Sequence, residues 1–379
     1  MFLRLFGAAL VLSLAACSGT ASPPDWIRQN AAAIDTVDPA APLDDLAPLR
    51  RSVGDAEIVG VGESVHGAAE EITLKHRVLR VLVEQMGFRS VAWEEDWTTG
   101  REIDEYIRTG SGDLGALMSR MSPQWQSRQV ADVLRWLLCE HLAAIRPSSP
   151  DVFEHIQADM SVADKEPYIR HARQVEELIA ALPHEPGDRE YAAMLHTARQ
   201  IVSFHEHFNL PDSENVEYRE ARAAENLRWW RDQSGDKIAY WAASPHTANA
   251  PQLRIASSTG DMRFASAGSY LRRWYGERYR SIGFTFGRGA VRLGGGQAAT
   301  MPDPAQDWFE RPMHDAGADQ LVLDLRTPAP PAVRRWLDAP MRSRGLPDRG
   351  PDSFMDGGSP AQWFDVVVHR RDVTPVLAA

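Results

Sequence analysis

Between residues 57 and 94 the apolar positions change period twice. Ile58, Val59 and Val61 form a short continuous apolar run that stops at Gly62, as in a strand buried on both faces. Leu74, Val78, Leu79, Val81 and Leu82 then recur at helical spacing, and Gly87 stands where a C-cap glycine ends a helix. Ser90–Glu94 is again short and apolar. The pattern predicts strand Glu57–Val61, a helix from Ala68 to about Met86 and strand Ser90–Glu94. This is a βαβ unit, with parallel strands and a right-handed crossover.

Helical spacing recurs over Trp26–Ala33, Pro42–Arg51 and Thr99–Thr109, and over Ser127–Ile145 until Arg146–Pro147. Asp151–Ile156 is a candidate third strand. From about 165 to 235 the pattern is helical and heavily charged, broken at Pro183–Gly187 and Pro211–Ser213, which suits a helical insertion or cap. Lys237–Trp241, Arg280–Phe286, Leu321–Leu325 and Phe364–His369 are further strands. No fixed-period repeat is evident. The expected fold is a three-layer α/β domain over 26–379, with a mainly parallel sheet, flanking helices and the helical insertion. Gly294–Gly295–Gly296 lacks the lysine of a phosphate-binding loop and reads as a flexible loop.

The first strand runs into a tight turn, Gly62–Glu63–Ser64–Val65–His66–Gly67. Ligands of open α/β sheets bind beyond the carboxyl ends of the strands, so this turn puts a carboxylate and an imidazole where ligands bind. An imidazole titrates near neutrality and takes a proton from water, and a neighbouring carboxylate fixes its tautomer. The same two residue types also occur in turns where a histidine does no more than bond the backbone.

Gly62–Glu63–Ser64–Val65–His66–Gly67, Glu70 and Lys75–His76–Arg77 resemble the signature of the erythromycin esterase family, G-E-x-x-H-G-x-x-E followed by K-H-R. The resemblance continues at Gly87–Glu94, Arg222–Asn226, Ile238–Ala242 with His246, Ser281–Phe284 and Trp363–Val368. It implies a carboxylic ester or lactone hydrolase in which His66 activates water and Glu63 orients His66 or holds the water. It also places Glu94, at the end of the second strand, and His246 in the site. Glu94 near the imidazole would raise its pKa. Lys75, Arg77 and Glu70 would bind substrate, a cation polarising the carbonyl or holding a carboxylate; a structural Glu70–Arg77 pair is the plainer alternative. The family's W-A-H-N-x-H is here Trp241–Ala242–Ala243–Ser244–Pro245–His246, so one histidine and the asparagine are missing, which bears on whether macrolides are substrates and any link to antibiotic resistance. Glu63, His66, Glu94 and His246 also make a zinc-capable donor set, but the resemblance implies hydrolysis with no metal and no cofactor.

The N-terminus reads as a targeting segment. Arg4 precedes an apolar stretch from Leu5 to Ala16, too short to span a bilayer, and Leu14–Ala15–Ala16–Cys17 resembles a bacterial lipobox. Residues 1–16 would be a signal peptide, Cys17 the lipidated first residue and 17–25 a tether. The protein would then hang from a cell-envelope membrane, outer by the rule that Ser18 follows, facing the periplasm. A plain secretory signal is the alternative. Cys139 would be the one remaining cysteine, a buried thiol without a disulfide partner. Net charge is −11 with no long Lys/Arg run, which argues against a nucleic-acid partner. A different class stays open: a non-catalytic envelope lipoprotein binding haem or another ligand, with a histidine or tyrosine on the iron and tryptophans as walls. A catalytically degenerate scaffold is a third. His205 and His207, two apart on a helix, have poor ligand spacing and are expected to be solvated.

Overall fold

The computed structural model describes residues 22–139, 144–147, 165–258, 260–350 and 352–379. The signal peptide, Cys17, most of the tether and the candidate strand Asp151–Ile156 lie outside the described residues, as does the Cys139 side chain.

Six parallel strands form the centre of the main sheet. They are β2 (Ile58–Val61), β3 (Phe88–Trp93), β4 (Ala144–Pro147), β5 (Lys237–Trp241), β8 (Tyr279–Arg292) and β13 (Val366–Val373), and they run in the order β13-β8-β2-β5-β3-β4. Beyond β13 the sheet turns antiparallel through β10 (Gln320–Asp324) and the two-residue β1 (Ala32–Ala33), and β9 (Ala298–Met301) pairs antiparallel with the far half of β8. The central strands β2, β3 and β5 are buried on both faces along most of their length. Val59, Val61, Val91, Trp93, Trp241 and Ile282 pack to one side with helices Ala69–Arg80 and Arg128–Cys139. Ile58, Ala92, Ile238, Tyr240 and Tyr279 pack to the other with helices Asp212–Ser234 and Ala267–Tyr275. This is why the strands read as continuous apolar runs and do not alternate.

Three differences from the expected elements have physical reasons. The long helix is described over Arg128–Cys139, and Ala144–Pro147, expected in part to be helical, is a strand beside β3. A short alanine- and isoleucine-bearing segment fits either state by period, and tertiary pairing decides. The helix after β2 is α-helical over Ala69–Arg80 and widens to a π-helix over Val81–Gln85. A second, four-stranded antiparallel sheet joins β6 (Leu253–Ala256), β7 (Met262–Phe264), β11 (Ser343–Arg344) and β12 (Phe354–Asp356), in strands too short to announce themselves. The charged stretch forms the helices Glu166–Ala180, Arg189–Asn209 and Asp212–Ser234. No helix among the described residues is long and apolar enough to cross a membrane.

Candidate active site

β2, β3 and β5 end together. The Glu94 N–H donates to the Trp241 carbonyl, Gly62 N–H to Ile282, and Ser244 N–H to the Glu63 carbonyl. Glu63, Glu94 and the short helix Ser244–Thr247 that carries His246 therefore meet at one edge. Close approach fixes the glycines here. A Cβ on Gly62 would come within 2.6 Å of the Ser244 hydroxyl oxygen and 2.8 Å of the Thr247 hydroxyl oxygen, and one on Gly67 would overlap the Arg292 carbonyl.

His66 Nδ1 lies 2.8 Å from Glu63 Oε1, a carboxylate with no solvent exposure. A carboxylate accepts only, so Nδ1 carries the proton and Nε2 is the basic nitrogen. The second Glu63 oxygen contacts the Lys75 amine, which is fully buried over the Trp241 ring, and burial pushes the Lys75 pKa well below its usual value. Lys75 therefore stands behind Glu63 and not in the cleft, contrary to the substrate-binding role the sequence suggested. The His66 ring packs edge-on against Trp125, centroids 4.5 Å apart, while the Trp125 indole N–H donates to the Glu94 carbonyl. The imidazole keeps 23% exposure and lines a cleft with Gln124, Gln126, Arg292 and Asp348.

Glu94 belongs to a buried chain of charges. One oxygen lies 3.0 Å from His246 Nε2 and 3.2 Å from Arg219, and the other accepts the Ala243 N–H at 2.9 Å. His246 Nδ1 lies 2.7 Å from Glu220, whose other oxygen accepts the Ala267 N–H. Burial disfavours the His246 imidazolium, but Glu220 and Glu94 outweigh it and push its pKa up to about 10. Burial likewise opposes the Glu94 charge, yet His246, with His66 and Arg219 adding, holds that carboxyl well below the usual range. For His66 burial wins and lowers the pKa, with His246 and Arg219 pushing the same way and Glu94 and Asp348 opposing. The expected rise from Glu94 is real in sign and too small to prevail.

Glu70 and Arg77 are elsewhere. Glu70 accepts from the Thr374 N–H and hydroxyl, pinning the C-terminal segment. Arg77 is buried in a two-bond pair with Asp45 and also donates to the Thr36 and Pro42 carbonyls. They do not pair with each other. His207 is buried, its Nδ1 at 3.0 Å from the Asn215 carbonyl, and is not solvated as expected.

Arg219 and Glu220 were not singled out from the sequence, and Trp125 was noted only as one of several tryptophans expected in the core or a pocket wall. Glu220 had a signal: it lies on one helical stripe with Ala223, Ala224 and Leu227, all buried, where a charge is out of place. Trp125 sits in a one-turn 3-10 segment with no pattern to betray it.

Donor atoms of Glu63, His66 and Glu94 lie within 4.8 Å of one another. The set fits a metal ion poorly. Glu63 is taken by His66 and Lys75, Glu94 by His246, Arg219 and a backbone N–H, and any added cation would face the His246 and Arg219 charges of its own sign. What remains for chemistry is a basic imidazole nitrogen with a fixed tautomer, next to two buried cations.

A family model described as erythromycin esterase matches residues 83–138 and 138–373, and the chain belongs to that family. The matched span begins after the Glu63–His66 turn. Over 83 residues the chain is 31% identical to an erythromycin esterase type II of Escherichia coli, a stretch that is 22% of this chain and 20% of the relative. The chain thus matches about a fifth of the length of that curated relative. Among solved structures it resembles a Bacillus cereus protein at TM-score 0.83 and 24% identity, covering 94% of this chain and 98% of the other. A succinoglycan biosynthesis protein gives 0.81 and 22%, with the same coverage, and an erythromycin esterase mutant in its open conformation gives 0.65 and 17%, covering 89% and 96%. These likenesses are of fold.

Proposed function

We propose that the protein hydrolyses a carboxylic ester or lactone without a metal, with His66 as the base that takes a proton from the attacking water. The observation that carries this reading is the Glu63–His66 pair: Nδ1 held at 2.8 Å by a buried carboxylate, in an imidazole that lines a cleft. Family membership agrees with it. As water adds to the carbonyl, negative charge develops on oxygen. Arg219 and the protonated His246 are the cations beside it. Glu94 holds both cations in place, and Glu220 keeps His246 protonated. The acyl oxygen then expels the alkoxide, which takes the proton from His66.

Macrolides are not assigned as substrates. Where the family pattern carries a histidine, Ala243 offers only its N–H, already bonded to Glu94. A panel of aryl esters, alkyl esters and macrolide lactones, followed by product mass, tests the class. Addition of one water that is lost in His66→Ala supports it, and no turnover of any ester or lactone overturns it. We place the protein at the cell envelope through acylated Cys17. Detergent-extracted mature protein should then carry the mass of acyl chains on that cysteine.

A further inference from the structure

Glu71 lies five residues beyond His66, in the first turn of helix Ala69–Arg80, and is fully buried. It makes no ion pair among the described residues. Instead it reaches back past its own helix start: Oε1 accepts the Ser64 hydroxyl at 2.6 Å, and Oε2 accepts the Ser64 N–H at 3.0 Å and the Val65 N–H at 3.3 Å. A glutamate at the third helical position ordinarily bonds the N–H of the residue that starts the helix. Here it holds the two residues between Glu63 and His66.

We propose that Glu71 is a positioning residue for His66, clamping the Ser64–Val65 turn so that Nδ1 stays on Glu63 and the imidazole lines the cleft. This rests on the esterase reading above. The turn has two further supports. The Gly67 carbonyl accepts N–H groups of Arg292 and Val376, and Ala69 N–H donates to Thr374. Those hold the outer end of the loop; Glu71 alone among the described side chains bonds the inner end. Burial pushes Glu71 up to about 7 despite the Ser64 and Val65 bonds and the Arg344 charge facing it from β11. Protonation need not release the clamp, because a Glu71 O–H can donate to the Ser64 oxygen while the other oxygen still accepts both N–H groups. What matters is two polar ends in this place, not the charge.

The test compares Glu71→Gln with Glu71→Met in the whole protein. Glutamine keeps a donor for the Ser64 hydroxyl oxygen and an acceptor for both N–H groups; methionine keeps volume and loses both. The readouts are circular dichroism for folding, kcat and KM on the best ester, and the NMR titration of the His66 imidazole, identified by its loss in His66→Ala. Glu71→Gln should titrate and turn over as wild type. Glu71→Met should lower kcat on the order of 10²-fold at little-changed KM, the loss a displaced catalytic group gives. Its His66 titration should move back toward that of a free imidazole. A folded Glu71→Met with wild-type kcat and His66 titration overturns the proposal. Should Glu71→Met fail to fold, Ser64→Ala, which removes only the 2.6 Å bond, decides: a partial shift of both readouts supports the clamp and no shift overturns it. The titration needs no turnover, so a shifted His66 in a protein inactive on every ester would uphold the clamp while removing the esterase reading.

Discussion

Glu63 has no solvent exposure, and its second oxygen is met by the equally buried Lys75. Removing one partner of such a pair leaves the other stranded. Lys75→Met should therefore destabilise the protein by about 3–5 kcal/mol in urea unfolding and lower kcat, since the buried Glu63 that orients His66 loses its partner. A Lys75→Met protein with wild-type stability would show that the pair is not formed. At this scale the sequence carried much of the site. Glu63 and His66 were legible from the turn at a strand end, whereas Glu94 and His246 were reached through the family resemblance; the structure brings all four to converging strand ends of the parallel sheet. Glu70, Lys75 and Arg77 were legible as charged residues but not in their partners. Those partners, Thr374 and Asp45 among them, lie far along the chain, and helix periodicity says nothing about what a face meets.

The turn after β2 works because two elements come almost into backbone contact. Helix Ser244–Thr247 packs on Gly62 so closely that any side chain there would overlap it. Gly62→Ala should cost about 1–3 kcal/mol, the range for overpacking a filled core, and displace His246 from Glu94. The check is a urea midpoint together with the titration of His246. A midpoint equal to wild type would mean that the two elements can part freely. The insertion helices were readable from their length and period, and β2 and β5 from apolar runs that stop at a turn. β4 and the four short strands of the second sheet were not, because segments of two to four residues have no period and owe their state to their neighbours.

Across the whole molecule the buried chain Glu220–His246–Glu94–Arg219 ties the insertion helix Asp212–Ser234 to the ends of β3 and β5. Its stability has a definite pH dependence. The folded pKa of His246, about 10, stands above its ordinary 6.5, so the stabilisation is fully present below 6.5 and is lost as pH rises through 10. Glu94, held below its ordinary 4.5, loses its share as pH falls under that value. The chain has only three lysines among its 41 basic residues and its arginines do not titrate here, but buried tyrosines such as Tyr240 and Tyr218 also resist ionisation at alkaline pH, so the share of His246 is read from the difference between wild type and a His246 variant. Thermal unfolding from pH 8 to 11 should show a fall in Tm that is much reduced in His246→Gln. Equal falls in both would contradict the assignment of His246 as charged. The three-layer arrangement was legible from doubly buried strands alternating with helices; the antiparallel edge at β10 and β1 was not, because strand direction leaves no mark on composition.

The central claim is that His66 is the base. It is tested most directly by kcat/KM of wild type and His66→Ala across pH 4 to 8, on an ester the protein turns over. The wild-type rate should rise with pH along a limb centred below 6.5, the direction in which burial shifts this imidazole. His66→Ala should lie about 10²–10⁴-fold lower and lack that limb. A variant that keeps the wild-type rate, or the same acidic limb, would contradict the account.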